Sequence, residues 1–165
     1  MSTSFEPSAE LTAEQFRLAC AQFATGIAIA ATLDDTGQPH GMTVNSFTSV
    51  SMEPPQILIC VDITAGLLPI FASRGYFGLS FLTEEQQDLS SRFARRGQNR
   101  FESTPWVAGN SGVPLIPGSL ARLECRIDRT IHSGDHVILI SRVMAADISS
   151  GRPLLYFERG YRKLE

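Results

Sequence analysis

The stretch that decides the fold is LARLECRIDRTIHSGDHVILISRVMAADI, residues 120–148. In its first half, apolar and charged side chains alternate, which is typical of a β-strand with one buried and one solvated face. The apolar side is predicted to hold Leu123, Cys125, Ile127 and Ile131, and the solvated side Arg122, Glu124, Arg126 and Asp128. The residues HSGD at 132–135 are typical of a turn, and a second apolar run follows them. The segment therefore predicts a long β-hairpin.

Short apolar runs bounded by turn residues fill most of the chain on either side of this hairpin. Strands are predicted at 27–33, 41–44, 46–52, 56–62 and 76–81 and near 154–157. No strand–helix–strand rhythm occurs, so the fold class is mainly β with a few helices, as an antiparallel barrel or sandwich.

Two T-x-x-Q motifs predict where helices begin, because Thr and Gln three residues apart form a capping box. Thr12 with Gln15 opens a helix whose apolar stripe is Phe16, Ala19, Cys20 and Phe23, and Thr83 with Gln86 opens another through about Ala94. A brief helical stretch is predicted at 67–72. Residues 1–10 are predicted to be a flexible tail and 11–165 one domain, within which 95–119 form a long surface loop with some function.

Composition excludes several classes of partner. The 165 residues are 43% hydrophobic and 19% charged, with a formal net charge of -3, so no basic footprint for nucleic acid or an anionic membrane is present. The start MSTSFEPSAE is polar, and no apolar run reaches the roughly 20 residues that cross a bilayer. A soluble cytoplasmic protein is expected, with Cys20, Cys60 and Cys125 as buried thiols.

Several common catalytic signatures are missing. The chain has no GxGxxG, no GxxxxGK[ST] and no GxSxG. The usual motifs of Rossmann dinucleotide binding, of P-loop nucleotide binding and of a serine nucleophile elbow are therefore absent from the sequence. His132 and His136 have the i, i+4 spacing of a metal pair, but a turn separates them. We therefore expect no metal site.

The segment GMTVNSFTSVSMEPPQILICVD, residues 41–62, is rich in small hydroxyl and amide side chains. One interpretation is a Ser/Thr-rich barrel strand with a solvated face. The other is a shelf of hydroxyls and backbone N–H groups for a phosphate and a planar polar ring.

The chain resembles the flavin reductase-like family, the reductase components of two-component flavin-dependent monooxygenases. The resemblance is carried by FRLACAQFATGIAIAAT at 16–32, the 41–62 segment, FGLSFLTEEQQDLSSRFA at 77–94, SGDH at 133–136 and the closing PLLYFERGYRKL. It implies an antiparallel split β-barrel of the FMN-binding type, usually a homodimer. It also implies FMN or FAD as cofactor, near the subunit interface, and NADH or NADPH as co-substrate.

The resemblance also implies site residues. The implied flavin contacts are Thr43, Val44, Asn45, Ser46, Ser49, Val50, Ser51, Cys60, Val61, Asp62, Phe81, Gln87, Phe93, Ala94 and Arg100. Arg100 is the cation expected to stand between Asp62 and a phosphate. The implied nicotinamide contacts are Gly134, Asp135, His136, Arg159 and Tyr161, with His136 as the catalytic candidate.

Hydride transfer between two stacked cofactors needs no general base, which agrees with the absence of an acid–base dyad. The predicted function is an NAD(P)H:flavin oxidoreductase that supplies reduced flavin to a partner monooxygenase. The alternative is a non-catalytic split barrel that binds flavin for storage or sensing.

Overall fold

A computed structural model describes residues 10–97 and 99–164. Its helices are α1 (Ala13–Cys20), α2 (Leu68–Arg74) and α3 (Gln87–Ala94). Its strands are β1 (Thr25–Gly26), β2 (Ala28–Leu33), β3 (Pro39–Val44), β4 (Thr48–Met52), β5 (Pro55–Asp62), β6 (Tyr76–Phe81), β7 (Val107–Ala108), β8 (Pro114–Leu115), β9 (Ala121–Ser133), β10 (His136–Ile148), β11 (Leu155–Phe157) and β12 (Gly160–Arg162). The tail predicted at 1–10 lies outside the described residues except for Glu10.

Seven strands form one antiparallel sheet in the order β3-β2-β6-β9-β10-β5-β4. Among the described residues its two edge strands, β3 and β4, share no ladder. The segment that connects them is held against β5 by Ser46, because its Oγ accepts from the Cys60 amide at 2.9 Å and donates to the Cys60 carbonyl at 3.0 Å. The sheet is thus a barrel split at one seam. This confirms the predicted fold class.

Strand β2 lies at the centre of the hydrophobic packing. Ala28 and Ala30 face the barrel core with Phe71, Phe77 and Leu79, whereas Ile29 faces a second core under α3. The second core contains Ile27, Ile29, Ala31, Leu82, Phe93, Phe101, Ile116 and Leu154. Burial on both faces explains why the strand sequence shows almost no polar alternation.

The predicted hairpin is confirmed as β9 and β10, joined by a turn at which Gly134 has a φ of 57°. Two details of its predicted faces are wrong: Ile131 is exposed, and Glu124 is buried. Ile131 lies close to the tip, beyond the cover of the barrel. The Glu124 carboxylate accepts the Asn110 and Ser111 amides at 2.7 and 2.8 Å and the Ser111 hydroxyl at 2.6 Å. Burial raises its pKa, but these hydrogen bonds outweigh burial and leave the pKa below the ordinary value.

Both capping boxes form as predicted, at Thr12 with Gln15 and at Thr83 with Gln86. In the apolar stripe of α1, Phe16 is 58% and Phe23 76% exposed, and Cys20, which was predicted to be buried, is exposed as well. No described element covers this face of α1. Cys125 is buried as predicted, whereas Cys60 is only partly buried.

The predicted surface loop at 95–119 is in part a packed segment. Phe101 and residues 113–116 are buried, because they cover the second core and the end of β6. At Gly78 of β6, an added Cβ would lie 2.3 Å from the Pro114 carbonyl oxygen, so only glycine lets the segment approach this closely.

Candidate functional site

Three neighbouring clefts lie along β3 and the residues that follow it. The polar cleft, about 530 Å³, is lined by His40, Met42, Thr43, Asp62, Thr64, Ala65, Gly66, Leu67, Ile70, Phe93, Ala94, Arg96, Gly97 and Arg100. The tyrosine cleft, about 290 Å³, is lined by Ile27, Thr43, Asn45, Ser90, Ala94, Tyr156 and Tyr161. The apolar cleft, about 460 Å³, is lined by Phe23, Ala24, Thr25, Gly26, Ile27, Ala28, Val44, Asn45, Phe47, Phe81, Leu82, Leu120, Pro153 and Leu154.

Thr43 and Ala94 belong to both the polar and the tyrosine clefts, so they form the partition between them. Thr43 Oγ1 donates to the Ser90 carbonyl of α3 at 2.7 Å. Ser90 is itself buried, and its hydroxyl lies 2.9 Å from the Tyr161 hydroxyl. The partition is therefore fixed by hydrogen bonds that run from β3 through α3 to β12.

The polar cleft collects five of the predicted site residues from four places in the sequence. Thr43 comes from β3, Asp62 from the end of β5, Phe93 and Ala94 from α3, and Arg100 from the following loop. A cleft of this volume, with apolar walls and a few charged groups, is typical of a small-ligand site.

The other predicted residues are distributed around this cleft. Tyr161 and Asn45 line the tyrosine cleft, and Val44, Asn45 and Phe81 line the apolar cleft. Ser49, Val50 and Ser51 lie on the edge strand β4, and Gln87 begins α3, all outside the three clefts. Val61 is fully buried in the barrel core, so its side chain cannot reach a ligand.

Two predicted residues have side chains committed to other contacts. The Ser46 hydroxyl joins the sheet at Cys60, and Arg159 Nη1 donates to Glu14 of α1 at 3.1 Å. Burial raises the pKa of the Cys60 thiol, which disfavours a reactive thiolate there.

The turn Gly134–Asp135–His136 lies beside the polar cleft rather than in it. His136 pairs with Asp62 across β10 and β5, and the Ile63 amide donates to the Asp135 carbonyl at 3.0 Å. His136 Nδ1 lies 2.7 Å from Asp135 Oδ1, with the imidazole 45% exposed. The predicted nicotinamide residues at this turn are thus next to the Asp62 wall of the cleft.

Arg100 lines the polar cleft but is also hydrogen-bonded to the backbone. Its guanidinium donates to the Arg95 and Gly41 carbonyls and fixes the loop after α3. His136 and Arg96 both act on Asp62 through their charge, and Arg96 Nη2 is also 3.5 Å from Thr64 Oγ1. The hydroxyl and amide of Thr64 donate to Asp62 Oδ1, both at 2.7 Å, and these bonds lower the pKa of that carboxyl.

The sequence reasoning missed Arg96, His40 and the apolar wall of Met42, Leu67 and Ile70. One signal was available: residues 40 and 42 alternate on β3 and therefore share a face. No sequence pattern indicates that Arg96 rather than Arg100 acts on Asp62, because this depends on how the loop after α3 folds back onto β3.

Comparisons with known proteins decide the family. The flavin reductase-like domain matches residues 20–165. The chain belongs to the flavin reductase-like family. This confirms the resemblance that the sequence motifs indicated.

Three relatives illustrate the match. The NADH:FAD oxidoreductase SgcE6 of Streptomyces globisporus C-1027, solved in complex with NAD and FAD fragments, is 34% identical with a TM-score of 0.88 over 95% of this chain and 98% of that one. The reductase subunit HsaB of a flavin-dependent monooxygenase from Rhodococcus jostii (strain RHA1) is 35% identical over 92% of this chain and 77% of its own length. A probable flavin reductase of Rhizobium meliloti (strain 1021) is 39% identical over 92% of this chain, which spans only 50% of that protein.

The polar cleft also fits the two ends of a flavin nucleotide. Arg96 supplies positive charge suited to a phosphate, and His40 supplies a ring nitrogen beside it. Met42, Phe93 and Ile70 supply apolar surface suited to a ring or a ribityl chain. Within the described residues no cluster of His, Cys, Asp and Glu could hold a metal ion. None of the described helices is long and apolar enough to cross a membrane.

Proposed function

We propose that this protein is an NADH-dependent flavin reductase whose flavin binds in the polar cleft and against its partition. The observation that carries the proposal is the convergence of Thr43, Asp62, Phe93, Ala94 and Arg100 in one cleft. The activity predicted from the sequence agrees with the family and with the relatives described above.

A bound flavin would supply the ring that accepts a hydride from the nicotinamide. The protein's own residues have simpler tasks. Phe93 and Met42 exclude water from one side of the cleft, Arg96 provides positive charge, and the Thr43–Ser90 bond keeps the partition rigid. Because positioning of two rings accounts for much of the rate, rigidity of this partition is the main contribution of the fold.

The turnover assay tests this proposal directly. Purified protein with catalytic FMN or FAD should accelerate NADH or NADPH oxidation well above the rate with free flavin. If none of the four flavin and nucleotide pairs shows acceleration, the proposed reductase activity is wrong. Tight flavin binding without turnover would favour the storage or sensing alternative.

The turn beside the cleft is proposed as the nicotinamide-binding element. His136 stands next to the Asp62 wall and is almost half exposed, so its ring is accessible to a second ligand. His136→Ala should raise the apparent KM for NADH or lower turnover, while the dissociation constant of flavin stays nearly the same. An unchanged rate would remove His136 from the site, and His132→Ala on the adjacent strand is the matched control.

A homodimer is proposed from the uncovered surface of α1. Leu11 and Phe16 are 68% and 58% exposed, and Phe23 is 76% exposed at the mouth of the apolar cleft. Several large apolar side chains exposed on one segment are typical of an interaction surface. Light scattering should give the mass of two chains, and Phe16→Glu should shift it toward one.

The proposed recipient of reduced flavin is a separate monooxygenase, as the name of the Rhodococcus relative describes for that protein. Coupled product formation with a purified oxygenase component would test this. The cytoplasmic location stays a prediction, which cell fractionation would check.

A further inference from the structure

The imidazole of His40 is held at the polar cleft by an acidic partner outside it. His40 Nε2 lies 2.9 Å from Asp34 Oδ2, across the turn that joins β2 and β3. Asp34 cannot easily turn away, because its other oxygen accepts the Thr36 amide at 2.9 Å, the Thr36 hydroxyl at 2.7 Å and the Gln38 amide at 2.9 Å. The imidazole is thus oriented by a carboxylate that is itself fixed.

The hydrogen bonds to Asp34 also keep it ionised. Bonds from the Thr36 side chain, from His40 and from the Gln38 backbone lower the pKa of Asp34. An ionised carboxylate accepts, so Nε2 is the donating nitrogen of His40. The described part of the chain supplies no partner for Nδ1, the nitrogen that is left for a ligand.

Two other charged groups of the cleft are already engaged by protein partners, which leaves His40 available to bind a ligand. Arg100 is committed to two backbone carbonyls, and Asp62 is engaged by Thr64 and screened by Arg96. Among the described side chains that line the cleft, Arg96 and His40 are therefore the two with nitrogens available to an anion, and the cleft also has apolar walls.

We propose that His40 binds the phosphate of the flavin nucleotide, and that Asp34 acts as a positioning residue through His40. The inference rests on the proposed function and assigns one end of the ligand within its site. The ligand group that would be recognised is a phosphate ester, held by a charge-assisted hydrogen bond between His40 Nδ1 and a phosphate oxygen.

The test compares FMN with riboflavin, which has the same ring and lacks the phosphate. Dissociation constants are measured by flavin fluorescence quenching with wild type, His40→Gln, Asp34→Asn and the control His132→Gln. His40→Gln should weaken FMN binding about tenfold and leave riboflavin unchanged, because one charge-assisted bond is lost. Asp34→Asn should also raise the dissociation constant of FMN, and His132→Gln should change the dissociation constant of neither ligand. His40→Asn serves as a second variant of the same site.

Equal weakening of FMN and riboflavin by His40→Gln would show a general structural role and overturn the inference, as would no change in either. The failure of the proposed function is a separate result, because it is measured by NADH oxidation with wild-type protein. If wild-type protein binds FMN more tightly than riboflavin through His40 but does not oxidise NADH, the phosphate assignment holds and the proposed reductase activity is wrong.

Discussion

The polar and apolar clefts differ in how their linings are assembled, although both use residues at the end of β3. The polar cleft receives charged residues from the end of β5, Asp62, and from the loop after α3, Arg96. The apolar cleft receives aromatic rings, with Phe47 and Phe81 in edge contact at 4.8 Å and Phe23 open to solvent. The polar cleft is therefore suited to a polar ligand, and the apolar cleft to an apolar surface.

The largest effect is expected from removing the aromatic wall of the polar cleft. Phe93 is fully buried and meets Phe101 edge-on at 4.9 Å, so Phe93→Ala should lower the free energy of unfolding by about 3–4 kcal/mol. Phe47→Ala, at a partly buried ring of the apolar cleft, should cost only about 1–2 kcal/mol. Urea unfolding measures both, and an equal cost would contradict the difference drawn between the two walls.

A smaller effect is expected from the charge of the polar cleft. Arg96→Gln should raise the dissociation constant of FMN roughly five- to tenfold and reduce its dependence on salt, because a cation facing the ligand is lost. Arg95→Gln, the exposed neighbour outside this cleft, is the matched control and should leave the constant unchanged. If both variants weaken FMN binding equally, the effect comes from the net charge of the loop and not from a contact in the cleft.

The smallest effect concerns the carboxylate of the polar cleft as pH falls. Hydrogen bonds from Thr64 hold the pKa of Asp62 below its ordinary value. Its contribution to stability is therefore present above the unfolded pKa of about 3.9, and it is lost as pH falls through the lower folded value. The difference in urea midpoint between wild type and Asp62→Asn should be measurable at pH 6 and shrink toward pH 2. Asp35→Asn, at an exposed turn, should show no such trend.

Much of the fold could be predicted because its signals are local. The capping boxes at Thr12 and Thr83 and the turn at Gly134 each depend on residues a few positions apart. Of the predicted flavin contacts, Thr43, Asp62 and Phe93 meet in one cleft. Ser46 shows the limit: its hydroxyl could serve a ligand, and only the approach of β5 commits it to Cys60.

The sequence by itself determined a mainly antiparallel β protein, its hairpin, its helix starts and its family. These follow from side-chain periodicity, capping geometry and motif order, which need no knowledge of distant neighbours. Only the tertiary structure decided that α1 presents its apolar stripe outward, that Glu124 is buried by residues 110 and 111, and that Arg96 rather than Arg100 faces Asp62. Each of those outcomes depends on segments far apart in the chain, whose contacts form when the sheet curls and the loops fold back onto it.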